Sequence, residues 1–276
     1  MQNSPYRLGI HILAGARGLS VSEHVDLIAS VGWDGCTMKW NPDLTEEAAN
    51  AAAKKGLYFQ SLHAPFGQVN AMWHPNDETD VMKSRILGCL EDCARYDIPV
   101  MVIHSFIGFG VPYVPTAVGI ENFRQIVEKA EDLGIKLAFE NVEGEPYLDA
   151  ILKEFRDSPF VGFCLDTGHG MCYNHGRDFL AEYGDRLFHT HLNDNLGQRG
   201  KDITFLDDLH LPMGDGIADW KEIMQKIRET GYDDILICEL NYSNKPDSHE
   251  LDRYLAMEME EFYAYALEAA RRVTAM

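Results

Sequence analysis

VGFCLDTGHG, residues 161–170, opens with five mostly apolar residues, the composition of a strand buried on both faces. It then turns polar at Asp166, Thr167, Gly168 and His169. A strand that enters a core and finishes on a carboxylate and an imidazole faces something polar at its C-terminal end. Seven other short apolar runs follow the same plan: RLGIHIL, GCTMKW, LYFQSLH, PVMVIH, IKLAFEN, LFHTHL and ILICEL.

Amphipathic stretches separate these runs, among them SEHVDLIASVG, GIENFRQIVEKAEDLG and DWKEIMQKIRETG. Several close on a glycine (Gly32, Gly56, Gly134, Gly231) placed as a helix C-cap. Strands each followed by a helix predict parallel βα units, and eight of them close a (β/α)8 TIM barrel at this length. The rival, an open doubly wound sheet, wants a glycine-rich nucleotide loop after its first strand. ILAGARG is a poor match, so no nucleotide cofactor is expected. The expectation is one TIM-barrel domain over residues 1–276, with a C-terminal helix over about 248–273. That helix either completes the outer ring or mediates a homo-oligomer.

The 276 residues carry 24 basic and 44 acidic side chains, a net charge of −20 that repels phosphate backbones. No nucleic-acid partner is expected, and no membrane, since no run approaches a spanning length. The six cysteines form no CxxC pair and three sit inside apolar runs. They read as buried thiols of a reduced, cytoplasmic compartment. The N-terminal YRLGIHILAGA lacks a basic leader and His11 interrupts it, so it reads as the first strand rather than a signal peptide.

In such a barrel, function gathers at the C-terminal ends of the strands. Read in order, those ends supply His63, His104, Glu140, Asp166, His191 and Glu239. Glu140 and Glu239 close apolar runs, where an unpaired carboxylate is costly to bury. A divalent cation is the simplest common partner for such a set. Mixed carboxylate and imidazole donors suit Mn²⁺, Zn²⁺, Co²⁺ or Fe²⁺ better than Ca²⁺. Taken singly, His63 and His104 read either as ligands or as hydrogen-bonded core histidines. His189 shares a face with His191 one layer deeper, and either supports it or packs. After strand seven, DDLHLPMGDGIADW sets Asp208 and His210 over the same mouth, as second-metal ligands or substrate contacts, with Trp220 as packing.

Together these motifs resemble the xylose-isomerase-like TIM-barrel superfamily, from SLHAPF through VIHS, AFENVEG, CLDTGH, HTHLNDN and LHLPMGDGIADW to ICEL. That superfamily includes sugar isomerases, ketose 3-epimerases, inosose dehydratases and zinc-dependent apurinic endonucleases. The resemblance implies a shared metal site of Glu140, Asp166, His191 and Glu239. It places His169 on substrate or a metal, with Gly168 letting the backbone turn so that Asp166 and His169 both face the mouth. The endonucleases use nine ligands for three zinc ions. Candidates for all nine are present: the six strand-end residues with His169, Asp208 and His210. The epimerases tend to hold a substrate-gripping arginine near His210, which this chain lacks. Their further glutamate after strand five has only approximate counterparts, Glu143 or Glu145.

The implied function is a metal-dependent sugar isomerase or epimerase with a small-molecule carbohydrate substrate. A metal-stabilised enediolate forms while Glu140 and Glu239 move the proton. The alternatives are a multinuclear-zinc hydrolase of the apurinic-endonuclease type and an inosose-type dehydratase using the same site. The aromatics Trp40, Phe66, Trp73, Phe106 and Phe109 either line a wall for a sugar or pack helices and loops.

Overall fold

The structure, a computed structural model, describes residues 4–276. All eight expected strands form: β1 Leu8–His11, β2 Gly35–Lys39, β3 Tyr58–His63, β4 Val100–Ile103, β5 Lys136–Glu140, β6 Val161–Asp166, β7 Leu187–His191 and β8 Leu236–Cys238. They lie in one parallel sheet, each beside its sequence neighbour, with β1 also pairing β8. The seam between β7 and β8 is held differently. The Leu192 N–H donates to Ile237 O at 2.8 Å, and the Thr190 hydroxyl accepts the Ile237 N–H at 2.9 Å. A threonine oxygen thus stands in for a backbone carbonyl where the barrel closes.

The helices are α1 Val21–Val31, α2 Thr45–Lys55, α3 Asp77–Arg95, α4 Ala117–Leu133, α5 Glu145–Glu154, α6 Thr167–Cys172, α7 Phe179–Tyr183, α8 Trp220–Thr230, α9 Asp252–Leu255 and α10 Met259–Thr274. Gly32, Gly56, Gly134 and Gly231 end α1, α2, α4 and α8 with φ between 70° and 100°, as their placement predicts. Ser20 starts α1 with a capping box shared with Glu23.

Two local expectations need correction. The segment 248–273 is not one helix but α9 and α10. Glu258 opens α10 with its own capping box to Glu261, and the carbonyls of Leu255 and Met257 are taken by the Arg17 guanidinium at 2.7 and 2.9 Å. The chain after β6 does not simply turn. It enters the short helix α6 at once, with Asp166 as its N-cap.

Strand alternation sorts the side chains. Leu137, Phe139, Phe163 and Leu165 join the large core between strands and helices. Ala138 and Cys164 face the other way, into the lumen, in a small cluster with Val100, Val102 and Phe188. Gly162 shares that parity, and a Cβ there would lie 2.4 Å from the Phe188 ring, so the missing side chain makes room for the ring that fills the lumen floor. Glu140 and Asp166 are the next lumen positions above Ala138 and Cys164. A register shift between β6 and β7 sets Asp166 directly beside His191 at the mouth.

Candidate metal centre at the barrel mouth

Glu140 is the hub. Its Oε2 lies 3.2 Å from His63 Nε2 and 3.1 Å from His104 Nε2, and its Oε1 lies 3.1 Å from His191 Nδ1 and 3.3 Å from His169 Nδ1. Across the lumen, the carboxylate of Glu239 comes within 3.4 Å of the same His191 Nδ1. One potential ligand atom from each of Glu140, Asp166, His191 and Glu239 falls within a sphere of mutual distances no greater than 4.8 Å. Three further groups share a member with it: His63, His104 and Glu140; Asp166, His169 and His210; and, one layer deeper, Cys164, His189 and His191. All nine candidates read from the sequence therefore converge, since Asp208 Oδ2 lies 2.9 Å from His210 Nε2 and 3.6 Å from His169 Nε2. Each of the nine is buried.

The donor set suits a divalent cation, and the tautomers say why. Nδ1 of His63 pairs with the Ala64 carbonyl at 2.8 Å, Nδ1 of His169 with Asn141 O at 3.0 Å, and Nδ1 of His210 with Glu239 O at 2.9 Å. A carbonyl only accepts, so each Nδ1 carries a proton, and each Nε2 faces a carboxylate oxygen with a lone pair unless a second proton occupies it. Two lone pairs at such distances need a positive charge between them, either a proton or a metal ion. The titration behaviour agrees. Burial disfavours charge on His210, yet Asp208 overrides it and lifts the imidazole to about 9. His169 is raised against burial by Asp166 and Asp208, and His191 by Glu239 and Glu140. Burial opposes ionisation of Glu140 and Glu239, but neighbouring imidazoles outweigh it, with Lys39 helping at Glu239, and hold both well below the usual carboxylate range. Asp166 goes the other way, raised by burial.

The surroundings fix these ligands. Asp166 Oδ1 accepts the His169 N–H at 2.8 Å, and its Oδ2 accepts Asn193 Nδ2 at 3.0 Å. Asn141 grips the Asp166 backbone from both sides, at 2.7 and 2.8 Å. Gly168 has a different task from the expected turn. A Cβ on it would sit 2.0 Å from Asn193 Oδ1, so the glycine admits the amide that holds Asp166. His210 has φ of 51°, a left-handed conformation costing a non-glycine residue on the order of 1–3 kcal/mol, next to the loop's Asp208. Asp194 anchors the loop beyond by accepting from Gly214 N, Ala218 N and Trp220 Nε1, which leaves Trp220 a packing and anchoring residue. His189 is fully buried beneath His191, its ring edge-on at 4.9 Å.

Above the ligands lies a cavity of about 360 Å³, walled by Phe66, Phe109 and Tyr173 among others. The expected aromatic wall is thus divided. Trp40 donates to Asp92, while Trp73 and Phe106 pack on Tyr147. Of the two glutamates after β5, Glu143 lines the cavity and Glu145 accepts from Asn174 at the start of α5. Sequence reasoning did not single out Asn141, Asn193, Lys39 or Lys245. Only the asparagines leave a trace, in EN directly after β5 and in HLNDN after β7.

The six cysteines are free and buried, and no helix among the described residues is long and apolar enough to cross a membrane. Among curated relatives, an uncharacterised protein of Methanocaldococcus jannaschii is 28% identical over 64% of this chain, which spans 63% of that relative's length. An inosose dehydratase of Lacticaseibacillus casei is 28% identical over 45% of each chain. Among solved structures, the IolI protein with a bound zinc atom superposes with a TM-score of 0.75 at 16% identity, covering 98% of both chains. D-psicose 3-epimerase of Clostridium cellulolyticum H10, solved with D-tagatose, superposes at 0.72 and 16% identity, covering 97% of this chain and 99% of that one. At such identities these two likenesses are likenesses of fold. A family model described as xylose isomerase-like TIM barrel matches residues 25–261, and the chain belongs to that family.

Proposed function

We propose that this protein is a divalent-metal-dependent isomerase or epimerase of a carbohydrate, with Glu140, Asp166, His191 and Glu239 holding Mn²⁺, Zn²⁺ or Co²⁺. The observation that carries the reading is the pair Glu140 and Glu239. The two carboxylates, from β5 and from just beyond β8, reach the same His191 nitrogen at 3.1 and 3.4 Å on the floor of a cavity large enough for a sugar. When bound, the ion supplies the positive charge that lowers the cost of an enediolate. Glu140 and Glu239 then serve as the proton carriers, one removing the proton from the carbon beside the carbonyl and the other returning it on the opposite face. The Nε2 atoms of His63 and His104 fix the Oε2 side of Glu140, while Phe66, Phe109 and Tyr173 offer apolar faces to the sugar and keep water from the reacting carbon. Residence in the cytoplasm fits six buried free thiols.

A second reading, a multinuclear-zinc hydrolase, draws on the two additional ligand groups around Glu140 and around Asp166. Metal content of protein purified without chelators separates the two. One ion per chain supports the isomerase or epimerase, and three support the hydrolase. A screen of ketoses, inososes and keto acids with added Mn²⁺ or Co²⁺ follows. Inversion or carbonyl migration is the expected product, loss of water would mark a dehydratase, and no turnover of any sugar would overturn the reading.

A further inference from the structure

Two lysines face the cavity, and neither belongs to the ligand cluster. Lys39 ends β2 and Lys245 follows β8, and both line the cavity above Glu239 and Asp208. Each is held off its carboxylate: Lys39 Nζ is 3.9 Å from Glu239, and Lys245 Nζ is 3.9 Å from Asp208. Outside the cavity the spacing varies, from 2.8 and 2.9 Å at Lys226 and Lys55 to 3.9 Å at the exposed pair of Lys129 and Glu91. Glu239 and Asp208 point instead at His191 and His210, into the ligand cluster. Each cavity lysine also lies over an aromatic ring, Lys39 over Phe66 at 5.9 Å and Lys245 over Phe205 at 5.8 Å. The rings steady the ammonium groups without neutralising them.

Lys245 is the more telling of the two. Its side chain is only 19% exposed, against 56% for Lys39, so it is drawn into the cavity wall with its carboxylate no nearer than 3.9 Å. An ammonium held at that distance from its counter-ion keeps donors free for a ligand in the cavity. The chain spends few basic residues, 24 against 44 acidic, yet sets two at this mouth.

We infer that the substrate is an anionic sugar, whose carboxylate or phosphate is received by Lys245 and, on the open side, by Lys39. The inference rests on the carbohydrate reading of the same site and narrows it. Both anions accept from an ammonium in the same way, so the geometry names the charge and the experiment names its source.

The test is calorimetric binding to the manganese-loaded protein of three probes: D-fructose, D-fructose 6-phosphate and 2-keto-D-gluconate. A hydrogen bond between charged partners predicts that one anionic probe binds about tenfold more tightly than D-fructose, or better. The winning probe tells phosphate from carboxylate. Lys245→Met should erase most of that ratio, Lys39→Met a smaller part, and Lys245→Arg should retain it, which separates a lost charge from a disturbed fold. Equal binding of all three probes overturns the inference while leaving the carbohydrate reading in place. An anionic preference that survives both Met variants also overturns it, since the anion would then sit on the metal. If none of the three binds, the carbohydrate reading falls and the inference with it.

Discussion

The two ends of this barrel are both polar, and they are polar in opposite ways. At the N-terminal end one carboxylate, Asp234, is surrounded by donors: Arg7 at 2.8 Å, Tyr58 at 3.3 Å and Gln60 at 3.1 Å. Gln60 also reaches Tyr232, whose hydroxyl donates to the Ile235 carbonyl. Of that buried network only Gln60 Oε1 lacks a partner. At the C-terminal end acceptors outnumber donors. Four carboxylates meet imidazoles of which three, His63, His169 and His210, already give their Nδ1 proton to a carbonyl, and Asp208 Oδ1 is buried with no hydrogen-bond partner. Matched polarity holds a fold together. Unmatched polarity must be completed by something the chain does not supply, and here that something is positive charge.

The sharpest way to break this contrast is Glu140→Gln. The amide keeps the shape but removes the charge shared by two ligand groups. Turnover on whichever sugar the screen returns should fall by at least about 10²- to 10⁴-fold. The visible absorbance of a cobalt-loaded sample should weaken, while far-UV circular dichroism stays unchanged. Near-normal activity would remove Glu140 from the chemistry. The next effect is thermal. An ion at 100 times its dissociation constant stabilises the folded state by about 2.7 kcal/mol, which for a chain of this size raises Tm by roughly 5 °C. Adding Mn²⁺ or Zn²⁺ and then EDTA should move Tm up and back. A Tm indifferent to both would mean that imidazolium protons already satisfy the mouth.

Much of this was readable before folding, because a parallel barrel writes its site at strand ends. A strand buried on both faces is nearly all apolar, so a terminal Glu140, Asp166 or Glu239 stands out against its own run. Asp208 and His210 were found because they lie two residues apart in a loop already known to overlook the mouth. What escaped has one physical cause, that its meaning depends on a distant partner. Asn193 matters because its amide reaches Asp166 Oδ2, 27 residues away, and Lys245 because the cavity places it 3.9 Å from Asp208, a residue remote in sequence. Helix α6 was invisible because TGHGMC holds two glycines and spans only six residues, so its cap by Asp166 counts for more than its propensity.

Gly168→Ala sharpens the comparison at the level of support. The new methyl would collide with Asn193 Oδ1, an atom without a hydrogen-bond partner and therefore able to move. If it moves, Asp166 Oδ2 loses its amide. Loss of an outer hydrogen bond of this kind typically weakens metal binding by about 10- to 100-fold. Competitive titration against a chelating dye should show that drop with the number of ions unchanged. An unaltered affinity would mean that Asn193 is packing rather than support.

Asp234→Ala is the smallest effect and the control for all the others. Arg7 is about half exposed, so its ion pair with Asp234 counts for little. Gln60 Nε2 keeps Tyr232 as a partner, so the real loss is the acceptor for the Tyr58 hydroxyl and for the Ile235 N–H. The expected cost is about 1 kcal/mol, the low end for a donor that loses its acceptor, since Asp234 itself is partly exposed and water can replace it. It is seen as a denaturation midpoint shifted with its slope unchanged. Asp234→Asn, which keeps one acceptor oxygen, should cost less. In both variants metal stoichiometry and kcat/KM should stay at the parent values, because nothing at this end meets an unmatched charge. If removing Asp234 instead weakened metal binding as Gly168→Ala is expected to, the lumen would be transmitting strain from floor to mouth. The separation of a stabilising end from a functional one would then be false.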